Sequence, residues 1–473
     1  MSLRHDARTD GLTVEGPRRI RSTGLSTRLN RALLSAQRGP WLLLDLVLVL
    51  GLYELGLRLS PYGTYGTIIS PYVGLSVVYA LVYCAIALGL GSYDRDRRFD
   101  PLAAVRIGLT AAFLASLINL AYHYFTLYTV VGRLTLVYGA AIALVGVLAV
   151  RAALIWVVRQ HPYRFTVLGT SAAVLEVLAH WASTKGEERT HVMVPWTSIF
   201  PAGERPTVDG LVAAEIAEIV VTPDAVSDQE AIDVALLGLK ANIPVVHERT
   251  FYAGLLERLP INDVSKRWIL EQGLARPQAV VVATKRLADI VLSGVGLVLL
   301  SPLFLAIALA IKLTSPGPVF FVQTRQGRFF EPFRMIKFRT MRHDRDGRAD
   351  ASFTRLRDGR VTAVGRILRR THLDELPQLL NILRGQMSLV GPRPETIDFA
   401  RRMDAQIPLY ELRYLVRPGL TGHAQLKQGY AMDTVIDTRT KLSYDLYYLC
   451  NYSMRLDIRL LLRTAFFLIR GSR

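Results

Sequence analysis

Cysteine is nearly absent: Cys84 and Cys450 are the only two in 473 residues. Two cysteines make no disulfide framework, and neither stands in CxxC or Cys/His spacing suited to a metal. Acidic charge is also scarce, with 39 Asp and Glu against 57 Lys and Arg and a formal net charge of +18 at pH 7. That imbalance calls for anionic partners: nucleic acid, an anionic membrane face or phosphorylated small molecules. The first 40 residues hold eight arginines and no apolar core, so no cleavable signal peptide is expected there. What the chain has in quantity is apolar residue, 51% of the total with a mean hydropathy of +0.27.

The apolar residues come in runs. Trp41 to Leu59, Pro71 to Leu90, Leu102 to Tyr122 and Leu134 to Val158 are each about 20 residues, enough to cross roughly 30 Å of hydrocarbon. The intervening loops alternate in charge: DRDRRFD after the second run and VRQHPYR at the end of the fourth are basic, whereas 60–70 and 123–132 carry no Lys or Arg. Four transmembrane helices with both ends cytoplasmic are therefore predicted, rather than four buried core helices. From residue 163 the pattern alternates between strand and helix. RFTVLGT, AEIVVTP and IPVVHE read as buried strands, and SAAVLEVLAHWAS and Gln229 to Lys240 as helices, a small Rossmann-like α/β domain. Its first turn, Gly169-Thr170-Ser171-Ala172, lacks the second and third glycines of a dinucleotide fingerprint, so a regulatory or oligomerisation role is expected.

A fifth apolar run, Ile290 to Ile311, holds no charge but has Ser301-Pro302 at its middle. Proline there removes a hydrogen bond and bends the helix. Fifteen Lys and Arg against five Asp and Glu from Lys312 to Arg370 hold the following segment in the cytoplasm. The run is expected to enter the membrane and return as a re-entrant hairpin. Beyond it, SPGPVFFVQTRQGR and FRMIKFRTM read as strands, Arg402 to Val416 and Thr438 to Tyr452 as helices, and Ile458 to Ile469 as a basic amphipathic helix on an anionic membrane surface.

Within this part lie LDELPQ, Leu373 to Gln378, and SLVGPRPE, Ser388 to Glu395. Pro377 lacks a backbone donor and fits the first turn of a helix. Asp374 and Glu375 are thereby expected at a helix N-terminus, where free amides and the helix dipole stabilise anions, a bound phosphate included. For the two acids alone, a pair that merely complements the dipole is an equal reading. Arg369 and the Gly-Pro-Arg-Pro loop in the same stretch favour phosphate chemistry, which needs positioning and charge neutralisation.

From Lys285 onward the chain resembles the bacterial sugar transferases, in the strings KRLADIVLSGVGLVLLSP, FFVQTRQG, FRMIKFRTM, GRILRRTHLDELPQLLNILRGQMSLVGPRPE, VRPGLTGHAQ and YDLYYL. The upstream bundle and α/β domain resemble the long, polytopic branch of that family. The resemblance implies transfer of hexose-1-phosphate from a UDP-sugar to undecaprenyl phosphate with release of UMP, Mg²⁺ dependence, and a catalytic domain on the cytoplasmic face of the bacterial inner membrane. It gives Asp374 as nucleophile at the β-phosphorus and Glu375 as a metal- or proton-handling partner. Arg369 binds phosphate, Pro392-Arg393-Pro394 contacts the nucleotide, Lys337 and Arg339 face the site, and Asp445 is a further acid assigned with Asp374 and Glu375 to the metal. His423 departs from the pattern, since many relatives carry tryptophan there.

The implied layout is a basic cytoplasmic tail (1–40), four spans (41–159), the α/β domain (160–255), a linker (256–283), the re-entrant helix (284–312) and the catalytic domain (313–473). The implied setting is initiation of an exopolysaccharide, capsule or O-antigen, with inner-membrane lipid and downstream glycosyltransferases as partners and no nucleic acid; the oligomeric state is open from the sequence, and a homodimer through the α/β domain is expected. Glucose is the first choice of sugar, with galactose or an N-acetylhexosamine as alternatives. A NAD-dependent nucleotide-sugar enzyme is disfavoured by the missing glycines and by the lack of a Tyr-x-x-x-Lys pair after a dinucleotide turn. A non-catalytic scaffold is disfavoured by the presence of both acids.

Overall fold

The computed structural model describes residues 38–60, 72–93, 101–126, 133–160, 163–170, 173–177, 191–201, 204–260, 279–342, 360–428 and 434–470. The basic tail before residue 38, most of the loops used in the topology argument, Ser171-Ala172 with the distal part of the helix expected after them, and residues 261–278 of the linker lie outside these. The chain divides into two compact units, Met1–Glu257 and Arg258–Arg473.

In the first unit the four apolar runs are helices: α1 (Arg38–Leu59), α2 (Tyr72–Gly89), α3 (Pro101–Thr126) and α4 (Arg133–Gln160). α1 packs on α2 and α4, and α3 on α2 and α4. Small residues allow close approach: a Cβ on Gly56 would stand 2.8 Å from the Gly139 Cα. Polarity is turned inward. Tyr93 donates to Asp45 at 2.9 Å, Asp45 also pairs with Arg151, Asn119 donates to Tyr53 at 2.8 Å and Ser76 to Glu54 at 2.7 Å. Leu43, Phe113, Val145 and Trp156 face outward and are exposed. Paired polar groups inside and apolar groups outside suit a hydrocarbon solvent. This is a membrane protein. Among the described residues, Pro101–Tyr122 and Leu134–Val157 are long and apolar enough to cross a membrane, while Val73–Gly89 is a shorter apolar helix. α1 carries Asp45, Glu54 and Arg58 within its apolar run.

The rest of this unit is a parallel sheet in the order β2-β1-β3-β4, with β1 (Tyr163–Leu168), β2 (His191–Met193), β3 (Ile216–Val221) and β4 (Val245–His247). Three of these strands and the helix α5 (Gln229–Lys240) match the sequence reading. β2 was not foreseen, being only three residues at a sheet edge. Gly169 adopts φ +92°, and a Cβ there would sit 2.0 Å from Thr222 Oγ1. The next amide, Thr170, donates to Asp224 Oδ2 at 2.9 Å, so a carboxylate of the chain already takes that amide.

The second unit begins at Arg258, inside the expected linker. The Leu259 amide donates to the Ser443 carbonyl at 3.1 Å, and the Arg258 guanidinium lies 5.9 Å from the Tyr444 ring. α6 (Ala279–Leu299) and α7 (Ser301–Thr314) are bent by 61°. The break falls at Leu300, and Pro302 enters the first turn of α7. Ser301 Oγ donates to the Val298 carbonyl at 2.7 Å, satisfying a group the break releases. One face of α6 is polar and buried. Lys285 pairs with Asp457 and donates to the Val390 carbonyl and Tyr448, while Asp289 accepts from the Leu389 amide at 2.9 Å.

An antiparallel hairpin follows, β5 (Phe320–Gln326) with β6 (Pro332–Phe338). After it come α8 (Ala363–Arg370), α9 (Gln378–Leu383), β7 (Ser388–Val390), α10 (Ile397–Asp404), β8 (Gly419–Thr421), α11 (His423–Gln428), α12 (Val435–Cys450) and α13 (Met454–Arg470), with β7 parallel to β8. The helix expected from Arg402 to Val416 is interrupted. α10 ends at Asp404, Leu409 turns left-handed (φ +67°) after Pro408, and Tyr410–Leu415 is a 3₁₀ segment.

Candidate active site

Strand alternation places Phe333, Met335 and Lys337 on one face of β6. The first two are buried with Leu379, Ile382 and Met387. Asn381 of α9 fixes the register of this contact, accepting from the Ile336 amide at 3.0 Å and donating to the Arg334 carbonyl at 2.7 Å. With α9 held so, the turn before it lies against Lys337, whose Nζ donates to Glu375 Oε1 at 2.7 Å. Arg393 Nη2 reaches the same oxygen at 2.8 Å. Oε2 takes neither cation.

The turn differs from expectation. Leu373–Glu375 is a separate 3₁₀ turn, and Pro377 precedes α9, which has only six residues. His372 in a left-handed conformation (φ +55°) turns the chain out of α8, and the Glu375 amide is already bonded to the His372 carbonyl at 3.2 Å. The positive groups at this point are the side chains of Lys337, Arg369 and Arg393, not the start of a helix.

Asp374 and Glu375 are neighbours with opposite electrostatics. Burial pushes the Asp374 carboxyl up, Lys337 opposes it, and Glu375 adds to the rise. Burial works against ionising Glu375 as well, but Arg393 and Lys337 outweigh it and hold the group well below the usual carboxylate range. Lys337 is itself lowered by burial. Among the described residues the Asp374 carboxylate takes no hydrogen bond or ion pair, although Lys337, Arg369 and Arg393 act on it through space. Arg369 sits in the last turn of α8, its Nε donating to Thr340 Oγ1 at 2.9 Å. The result is a carboxylate with no hydrogen-bond partner among the described residues, beside a second one that two cations hold in its ionised form. The Asp374 carboxylate and Glu375 Oε2 are hard oxygen donors of the kind Mg²⁺ takes when it also binds diphosphate oxygens. Among the described residues no three His, Cys, Asp or Glu side chains cluster to hold a metal unaided.

A family model for bacterial sugar transferases matches residues 280–471. The chain is 46% identical over 198 residues to the UDP-glucose:undecaprenyl-phosphate glucose-1-phosphate transferase of Caulobacter vibrioides, which covers 41% of this chain and 73% of that one. It is 43% identical over 186 residues to the exopolysaccharide production protein PSS of Rhizobium leguminosarum, 38% of this chain and 92% of that one. This chain belongs to the bacterial sugar transferase family. It is also 41% identical over 231 residues to the UDP-N-acetylgalactosamine-undecaprenyl-phosphate N-acetylgalactosaminephosphotransferase of Aeromonas hydrophila, spanning 53% of that relative and 49% of this chain.

Other residues singled out from the sequence lie elsewhere. Arg339 follows the end of β6 and is buried, donating to the Pro316 and Ser315 carbonyls at 2.7 and 2.8 Å. It clasps the turn after α7 and does not join Lys337 at Glu375. Asp445 on α12 is also buried and forms an ion pair with Arg413 at 2.8 Å. Pro392 and Pro394 contribute carbonyls, which accept from the Gly419 amide at 2.9 Å and from Arg325 at 3.3 Å. Backbones touch here: a Cβ on Gly391 would stand 2.4 Å from the Arg417 carbonyl oxygen. His423 is buried, with its ring 5.2 Å from Tyr447 and 5.5 Å from Tyr444. Arg413, Glu395 and Lys441 were missed. Glu395 closes the SLVGPRPE string without standing out in it, and nothing local distinguishes Arg413 or Lys441 among 57 basic residues.

Proposed function

We propose that this protein transfers hexose-1-phosphate from a UDP-sugar to undecaprenyl phosphate, releasing UMP, in the first membrane step of exopolysaccharide, capsule or O-antigen assembly. The carrying observation is Asp374, unbonded beside a Glu375 gripped by Lys337 and Arg393. An Asp374 carboxylate oxygen attacks the sugar-bearing phosphorus. The bond to the UMP oxygen breaks, and an aspartyl-phosphosugar forms. An oxygen of undecaprenyl phosphate then attacks the same phosphorus and returns Asp374 as carboxylate. Separating the steps lets UMP depart before the second anion arrives.

Arg369 and Arg393 offer guanidinium forks to phosphate oxygens. Mg²⁺, when bound by Asp374 and Glu375, supplies charge neutralisation at the diphosphate. Glucose is the proposed sugar, in keeping with the name of the Caulobacter relative; the Aeromonas relative makes N-acetylgalactosamine the first competitor. We place the four N-terminal helices across the bacterial inner membrane and the bent α6–α7 pair as a re-entrant hairpin, with the catalytic part on the cytoplasmic face. The α/β domain serves homodimerisation, and downstream glycosyltransferases extend the product.

The test is UMP release by purified protein from a panel of UDP-sugars. Release beyond one equivalent per protein that requires polyprenyl phosphate and is greatest with UDP-glucose is expected. Sustained multiple-turnover release with no lipid requirement, or none from any UDP-sugar, defeats the reading. Preference for UDP-N-acetylgalactosamine keeps the reaction and changes the sugar.

A further inference from the structure

Arg413 is the bulkiest fully buried side chain among the described residues, and the proposed chemistry gives it no task. Burying a guanidinium is costly unless its nitrogens are met; here both terminal nitrogens are met and Nε has no hydrogen-bond partner among the described residues. Nη1 donates to Tyr410 Oη at 2.7 Å and stands 3.5 Å from Glu395 Oε1. Nη2 pairs with Asp445 Oδ2 at 2.8 Å and donates to the Arg393 carbonyl at 3.1 Å. The Tyr410 and Tyr414 rings lie 5.1 and 5.8 Å from the guanidinium carbon. Glu395 is also paired with Lys441. Its carboxyl is driven down to about 2 because Lys441 and Arg413 outweigh its burial.

The neighbouring backbone shows what this cluster holds. The carbonyls of Pro392, Arg393, Pro394 and Glu395 accept in turn from the Gly419 amide at 2.9 Å, Arg413 Nη2 at 3.1 Å, Arg325 Nη1 at 3.3 Å and the Gln326 amide at 2.8 Å. Four successive carbonyls are pinned, while the Arg393 side chain leaves the loop to grip Glu375. We propose that Arg413, anchored by Asp445 and Glu395, is a positioning residue that fixes the Arg393 backbone and thereby the guanidinium at Glu375. Asp445 then acts through Arg413, not on a metal. The inference rests on the transferase reading for its kinetic consequence and on the geometry alone for its structural one.

Arg413→Lys keeps the charge and loses the fork. Steady-state turnover is expected to fall about 100-fold, as for a misplaced contact, with KM for UDP-sugar changed by less than about threefold. Added to Arg393→Ala, the same substitution should cost less than about twofold, since its effect runs through Arg393. Independent, multiplicative losses overturn the proposal. Hydrogen exchange gives a readout without turnover: the Gly391, Arg393 and Glu395 amides should exchange faster in Arg413→Lys, with β5 and α9 unchanged. Unaltered exchange overturns the proposal even if transfer is confirmed. Wild-type protein that releases no UMP sinks the transferase reading and leaves exchange to decide this one. Should Arg413→Lys fail to fold, Tyr410→Phe removes one acceptor and keeps the ring, and the same coupling to Arg393 is required of it.

Discussion

Two cations converge on one oxygen of Glu375 while the adjacent Asp374 carries none, and this asymmetry sets the pH behaviour. In the proposed chemistry Asp374 must be ionised to attack. Its folded-state value is raised above the ordinary 3.8 by burial, with Glu375 contributing, so activity should fall with decreasing pH through a point above the usual Asp range. Glu375 stays charged well below that point. Replacing Glu375 by Gln removes a charge that raises Asp374 and releases Lys337 and Arg393 toward it. The acid limb of the pH–rate profile should then move to lower pH while turnover drops; a limb that stays fixed or rises contradicts the assignment. Asp374→Asn should cost on the order of 10⁴-fold or more in turnover and leave UDP-sugar binding nearly intact by calorimetry. When lipid acceptor is withheld, sugar label should stay on denatured wild-type protein and be lost from this variant. Intersecting double-reciprocal lines without trapped label would exclude the covalent scheme. At this scale the sequence showed the proximity of Asp374, Glu375 and Arg369, near neighbours in the chain, but not the separate 3₁₀ turn that carries the two acids. It was opaque for Arg339: the basic alternation of KFRTM does not tell that β6 ends at Phe338, after which the next arginine turns to the Ser315 carbonyl.

The break between α6 and α7 is the element most nearly read from sequence, because proline has few structural options. Leu300 leaves the helical run, Pro302 starts the next one, and Ser301 caps the Val298 carbonyl. Tags at residue 160 and residue 473 should both report the cytoplasm. Pro302→Leu should favour a continuous helix and carry part of the population's C-terminal tag across the membrane. A tag at 473 that is periplasmic in the unaltered protein excludes the hairpin. Elements set by tertiary company were harder to foresee. The three-residue β2 exists because β1 offers a free edge. The DE turn closes on itself rather than joining α9, since Asn381 and Lys337 place both relative to β6. The helix expected through Pro408 fails there for the reason that made Pro302 informative.

Across the whole molecule, the family match begins at residue 280, but the second compact unit begins at Arg258. A chain starting at Arg258 should retain transferase turnover in detergent. One starting near Val280 should also turn over but melt at lower temperature, having lost the Leu259 contact with Ser443. Complete loss in both folded truncations would place part of the site upstream. The buried Arg413, Glu395 and Asp445, with the half-buried Lys441, bear also on how such a sequence can drift. Removing one member of a buried ion cluster costs about 3–5 kcal/mol, whereas exchanging the whole set for apolar residues of similar volume can be neutral. Gradual change at positions 395, 413, 441 and 445 is therefore blocked, and descendants should either keep all four or exchange them together. In aligned relatives these positions should covary as a block, although they are separated by up to 50 residues in the chain.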